Sequence, residues 1–171
     1  MRKQWLRQKL HLCLAMKKNK TARECALFLL EYGDCTEKEM RQKLRDREYG
    51  PEEIEATLSF LKEYHYIDDA EYAEKYIRVY SSKKSTRQIR CGLEKKGIAR
   101  NVIEQHLEES PIDEEKQIYA FLLKKGCRPG EERMDAADFR KLVAALGRRG
   151  FSYDSIRRVT DRMGEEDSWN S

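Results

Sequence analysis

Only three prolines, Pro51, Pro111 and Pro129, interrupt this sequence, and none lies inside a strong apolar period, so helical stretches meet few obligatory breaks. Alternating apolar–polar runs of the kind that build half-buried strands are missing, which removes sheet-based folds. No apolar run approaches the roughly 20 residues that span a bilayer. The basic start Met1-Arg2-Lys3-Gln4-Trp5-Leu6 leads into a Leu10-to-Ala15 stretch that is short and contains His11, unlike a signal peptide. The five cysteines, Cys13, Cys25, Cys35, Cys91 and Cys127, form no CxxC pair and no zinc-spaced cluster with histidine. An odd set of scattered thiols suits a reducing compartment. Phosphate-cradling glycine loops are lacking. The histidines His11, His65 and His106 stand apart, and no nucleophile–base set can be assembled. The expectation is a cytoplasmic protein that is not an enzyme and carries no cofactor or metal.

Charge is plentiful. Charged residues make up 39% of the 171 residues and hydrophobic residues another 39%, against a usual charged share of roughly 25%. A chain this charged cannot wrap one large core, and it fits thin helical layers with one buried face each. The net charge of +4 is unevenly spread. Residues 1–20 hold seven basic and no acidic side chains, residues 21–73 hold seven and fourteen, and residues 74–101 hold nine and two. Such faces steer partners more than they stabilise a fold.

The sequence repeats itself. Ile89, Leu93, the basic pair Lys95-Lys96, Gly97, Ile98 and Ile103 recur in register as Leu142, Leu146, Arg148-Arg149, Gly150, Phe151 and Ile156. A further copy runs through Met40, Leu44, Tyr49, Ile54 and Leu58, with Glu48 where the others have glycine. Apolar residues four apart share a helix face, glycine tolerates the left-handed turn that ends the helix, and the basic pair complements its negative end. Each copy therefore reads as a helix–turn–helix hairpin. Glu48 cannot copy the glycine cheaply, so that turn is expected to place Gly50 differently and to open the next helix with Pro51.

Another helical stretch precedes each hairpin, over 22–32, 69 to about 81, and 114–125. Thr36 to Glu39, Asp68 to Glu71 and Ser85 to Gln88 read as capping boxes, and Asp113 as a cap. The fold expected is all-α. Three tandem three-helix repeats over 21–65, 66–110 and 111–164 form an elongated, curved molecule, with an extra basic N-terminal helix over 1–20 and a tail over 165–171.

The candidate contact residues are basic. Lys83, Lys84, Arg87, Arg90, Lys95, Lys96 and Arg100 form the densest stretch, and Arg140, Lys141, Arg148, Arg149, Arg157 and Arg158 repeat the idea in the third repeat. Arginine grips carboxylates or phosphates through a planar fork. Solvated helix faces are the plainer reading of the same residues. Tyr72, Tyr76 and Tyr80, four apart, read as a buried stripe more than as a platform for stacking bases. Asp68 and Asp69 read as helix-start residues more than as a catalytic or metal pair. Cys91 reads as inert more than as a reactive thiolate.

The segment Tyr66-Ile67-Asp68-Asp69-Ala70-Glu71-Tyr72-Ala73 resembles the signature of the RecX regulatory proteins: an apolar residue, Asp-Asp, two variable positions, an aromatic and Ala. Residues 39–61 are similar to that family's first repeat and Arg148 through Ile156 to its last, so the resemblance covers about residues 22 to 163. It implies a monomeric modulator of the RecA recombinase, lying in the groove of the RecA–DNA filament and lowering its recombinase and co-protease activity. It carries no catalytic residue with it. Weak DNA contact accompanies this reading. The alternative is a helical protein that binds DNA directly, without RecA.

Overall fold

A computed structural model of the chain describes residues 20–129 and 135–164. The tail and, but for Lys20, the N-terminal helix expected from the sequence lie outside the described residues. Nine helices and no strand occur among the described residues: α1 (Ala22–Leu30), α2 (Glu37–Arg45), α3 (Pro51–Glu63), α4 (Asp69–Tyr80), α5 (Thr86–Lys95), α6 (Arg100–Glu109), α7 (Glu114–Lys124), α8 (Ala136–Arg148) and α9 (Tyr153–Gly164). They fall into two compact units. The first runs to Tyr72 and includes Lys96–Ile98; the second holds Ala73–Lys95 and the chain from Ala99 onward.

The apolar positions four apart become the cores. In the first unit Met40 and Leu44 of α2 and Ile54, Leu58 and Leu61 of α3 enclose Ala22 and Ala26 of α1, and Ile67 closes the cluster. In the second, Ile118 and Leu122 of α7 meet Leu142 and Leu146 of α8, Phe151, and Ile156, Val159 and Met163 of α9. Ala73, Ile77, Ile89, Leu93, Ile103 and Leu107 are buried in between along the sequence. Each such Leu or Ile contributes about 1.5–3 kcal/mol of transfer free energy. No single core is large, which is how a chain with 39% charge stays ordered.

The helix starts follow the expected caps. Thr36 and Glu39 form a reciprocal capping box on α2, and Thr21 and Glu24 form another on α1 that the sequence reading did not single out. Asp68 accepts from the Ala70 and Glu71 amides, Ser85 from Gln88, and Asp113 from Lys116. Helix α1 stops at Leu30, short of the expected Tyr32, because the chain turns at Gly33. Gly50 becomes the N-cap of α3 with Pro51 at its first position, as expected. The expectation for Glu48 fails in one respect: it takes the left-handed conformation itself, with φ 59°. The hairpin imposes this conformation whether or not a glycine is there to relieve it.

Candidate partner-binding surface

Inside the first unit, the start of α2 is bound to a turn 60 residues away. The hydroxyl of fully buried Thr36 donates to the Lys96 carbonyl at 2.7 Å while accepting the Glu39 amide. The next amide, Glu37 N–H, donates to the Asp69 carboxylate at 2.9 Å. Gly97 follows Lys96 with φ 90°, and a Cβ there would run into Lys38. Lys96 Nζ pairs with Glu39 at 2.7 Å and lies 5.0 Å from the centroid of the Tyr72 ring. Burial alone would depress the Lys96 ammonium, but its bonds to Glu39 and Tyr72 hold it above the ordinary lysine value.

The second unit repeats this latch in register. The hydroxyl of fully buried Ser85 donates to the Arg149 carbonyl at 2.7 Å, and Thr86 N–H donates to Glu114 at 2.7 Å. Gly150 follows Arg149 with φ 88°; a Cβ there would sit 2.7 Å from Ser85 Oγ and 3.3 Å from Arg87 Cβ. Two basic groups some 60 residues apart in sequence thus become neighbours: Lys83, Lys84 and Arg87 on one side, Arg148 and Arg149 on the other.

Their side chains divide into two kinds. Lys83, Arg87 and Arg148 are exposed and carry no ion pair among the described residues. Lys84 is tied down, donating to Tyr76 Oη at 2.8 Å with its Nζ 3.6 Å from the Tyr80 ring centroid. Arg149 lies over the Phe121 ring at 4.2 Å. The first kind can meet a partner at little structural expense, whereas the second kind helps hold the junction.

Most of the remaining candidates are tied to carboxylates. Arg90 forks onto Glu104, Nε to Oε1 at 2.6 Å and Nη2 to Oε2 at 2.9 Å, joining α5 to α6. The first repeat has the same fork between Arg41 and Glu55, at 3.0 and 2.9 Å. Glu104 holds the Arg90 guanidinium above its ordinary value, and Arg90 holds the Glu104 carboxyl below its own. Arg100 reaches the same carboxylate at 3.8 Å. Lys141 pairs with Asp138, Arg157 with Asp161 and Arg158 with Glu115. Arg140 and Lys95 are exposed.

Asp69 does more than favour a helix start. Its carboxylate serves the first turn of α2, and burial pushes its pKa up despite the Glu37 amide that opposes the shift. The tyrosine stripe is half-buried, with Ala73 and Ile77 filling the core while the rings of Tyr72, Tyr76 and Tyr80 hold lysines. Cys91 is exposed, whereas the Cys35 thiol is buried and pushed up by that burial. Among the described residues no three His, Cys, Asp or Glu side chains converge as a metal site, and no helix is long and apolar enough to cross a membrane.

Two family models match the chain: RecX, first three-helix domain, over residues 22–61, and RecX, second three-helix domain, over 68–107. Regulatory protein RecX of Clostridium acetobutylicum is 34% identical over 151 residues, covering 86% of this chain and 71% of its own. Regulatory protein RecX of Vibrio parahaemolyticus is 34% identical over 139 residues, covering 80% of this chain and 87% of its own. The crystal structure of RecX from Lactobacillus salivarius superposes with a TM-score of 0.70 at 25% identity, over 83% of this chain and 94% of that one.

Proposed function

Because this chain belongs to the RecX family of regulatory proteins, we propose that it docks in the groove of the RecA–DNA filament and restrains recombinase and co-protease activity, through basic side chains at the junction latched by Ser85. It acts as a cytoplasmic monomer and without catalysis. The observation that supports this reading is one buried hydroxyl-to-carbonyl bond that brings together the segments bearing exposed Lys83, Arg87 and Arg148. Cations that pair with no carboxylate among the described residues are available to carboxylates of a protein or to phosphates, and the latch holds together the backbone segments that carry them. A body bound in the groove obstructs the exchange of DNA that needs the same space.

The test is the Lys83→Glu/Arg87→Glu/Arg148→Glu variant of the full chain, assayed for inhibition of RecA strand exchange alongside its thermal unfolding. The expected result is an inhibitory concentration raised about tenfold or more with little change in Tm, since charge reversal at an exposed contact acts mainly on encounter and specificity. Arg90→Gln is the control: it breaks an internal fork, so it lowers Tm and leaves inhibition by the folded protein intact. Unchanged inhibition by the triple variant would sink the reading. The rival, direct DNA binding without RecA, instead requires full affinity for naked DNA, with log K falling by roughly 0.7–0.9 per phosphate contact for each decade of salt.

A further inference from the structure

The turn from α3 to α4 in the first unit carries an aromatic cluster that the corresponding turn of the next repeat lacks. Tyr64 is 60% exposed and Tyr66 52% exposed. Both rings lie on half-buried Phe60, Tyr64 at 4.7 Å between centroids and Tyr66 at 6.2 Å in a stacked orientation. Between them His65 takes φ 54°, one of two non-glycine residues with positive φ among the described residues. That strained residue lets the chain fold back, with the Tyr66 and Ile67 amides both donating to the Leu61 carbonyl, and leaves the two tyrosines flanking Phe60.

The next repeat supplies an internal comparison. Its corresponding turn reads Glu109-Ser110-Pro111-Ile112, with Ser110 at φ −132° and no aromatic ring. Both turns return an apolar residue and an acidic cap, Ile67-Asp68 and Ile112-Asp113, to the start of the following helix. The tyrosines are therefore additions to the turn and not requirements of it.

The surroundings say what such a surface takes. Residues 20–72 hold eight basic and fourteen acidic side chains, a balance of −6. Exposed Glu63 adjoins Tyr64, and exposed Asp68 follows Ile67. A phosphate backbone is repelled by that charge, while a cation is drawn to both the acids and the negative faces of the rings. The cluster already holds one guanidinium this way, since Arg23 of α1 lies over the Phe60 ring at 4.0 Å.

We infer that Tyr64, Tyr66 and Phe60 form a docking surface for an arginine-bearing basic segment of a partner protein, whose guanidinium groups stack on the exposed tyrosines while the acidic repeat attracts the rest. This surface is separate from the basic junction latched by Ser85 and has the opposite charge preference, so either can fail without the other.

The test measures binding of a fluorescent arginine–glycine peptide, its lysine–glycine counterpart and a single-stranded oligothymidine to the full chain and to Tyr64→Ala/Tyr66→Ala. Circular dichroism checks that the variant is folded, and Tyr64→Phe/Tyr66→Phe serves as the conservative partner. The expected result is arginine peptide bound more tightly than lysine peptide, at least tenfold weaker binding by the alanine pair, and recovery by the phenylalanine pair. Peptide affinity unchanged in the alanine pair overturns the inference. So does oligothymidine binding that the alanine pair loses, which would make the site a platform for bases. Tyrosine-dependent self-association would assign the face to a second copy, and a gain in peptide affinity on Arg2→Gln/Lys3→Gln/Arg7→Gln would assign it to the chain's own basic segment; either result also overturns the inference.

Discussion

Removing a single oxygen should test whether the junction latch holds the fold together. Ser85 Oγ makes two bonds in a site with no solvent access, donating to the Arg149 carbonyl at 2.7 Å and accepting the Gln88 amide at 3.3 Å. Ser85→Ala deletes the cap of α5, a loss of about 1 kcal/mol, and leaves the Arg149 carbonyl short of its partner, a further 1–2 kcal/mol or so. The combined loss of about 2–3 kcal/mol corresponds to a fall in Tm of about 5–10 °C for a chain of this size. Ser85→Thr should stay within about 0.5 kcal/mol of the parent, because a threonine hydroxyl keeps both bonds and Thr36 already makes the equivalent contact. Gly150→Ala attacks the same place from the other side. At φ 88° it incurs left-handed strain of about 1 kcal/mol, and its Cβ, 2.7 Å from Ser85 Oγ, adds overpacking of roughly 1–3 kcal/mol. The double variant should be less damaging than the sum by about 1 kcal/mol, since the oxygen that the new methyl strikes is gone. Urea and thermal unfolding of the four variants read all of this. A Ser85→Ala protein melting within about 1 °C of the parent, or strictly additive losses, would refute the latch.

Two further outcomes follow from single residues. Glu48→Gly should stabilise the chain by up to about 1 kcal/mol, because φ 59° is open to glycine and strained for glutamate; a variant that melts lower would mean the Glu48 side chain contributes more than the strain removes. Burial raises the folded-state pKa of Asp69 above its ordinary value. The folded state therefore holds that proton more tightly than the unfolded chain, and stability falls as pH rises through the raised value. Asp69→Asn keeps a carbonyl oxygen for the Glu37 amide and removes the buried charge, so its advantage over the parent should be larger near pH 7 than near pH 4. A gap that widens on acidification would show that the Glu37 bond outweighs desolvation.

Most of the helical framework was legible because its signals are local. Apolar spacing of four, a hydroxyl or carboxylate at the N-cap, and glycine after a basic pair all act within one or two turns, and they put Met40, Ile89 and Leu142 in equivalent buried or nearly buried places. The latch was not legible because its halves are 60 and 64 residues apart; a sequence shows Thr36 and Ser85 as caps and cannot show the carbonyl each one reaches. Net charge misled in the same way. Arg87 and Arg90 lie three apart on one helix, yet Arg87 meets solvent and Arg90 grips Glu104. A usable signal did exist: Arg41 with Glu55 and Arg90 with Glu104 keep one spacing of 14 residues in two aligned repeats, and a pair that recurs in register is a contact more than a coincidence.

The departures from the repeat are as informative as its repetitions. In the register that aligns Met40, Ile89 and Leu142, the third hairpin has Asp138 where Thr36 and Ser85 stand, and α8 begins early, capped instead by Asp135. It also has Val143 and Arg157 where the forks place arginine and glutamate, so Arg157 turns to Asp161 within its own helix. A fourth repeat could not attach to this hairpin by the same hydroxyl bond. At the other end Glu48 keeps the left-handed turn without glycine. The turn thus belongs to the hairpin itself, closing a helix so that Tyr49, Ile98 or Phe151 can tuck in behind it. The latch uses that geometry: the hairpin offers a carbonyl at a fixed place, and a hydroxyl in the preceding repeat takes it. On this argument, transplanting serine to position 138 should add no stability, because α8 is already capped by Asp135 and position 138 lies inside the helix, where Asp138 pairs with Lys141.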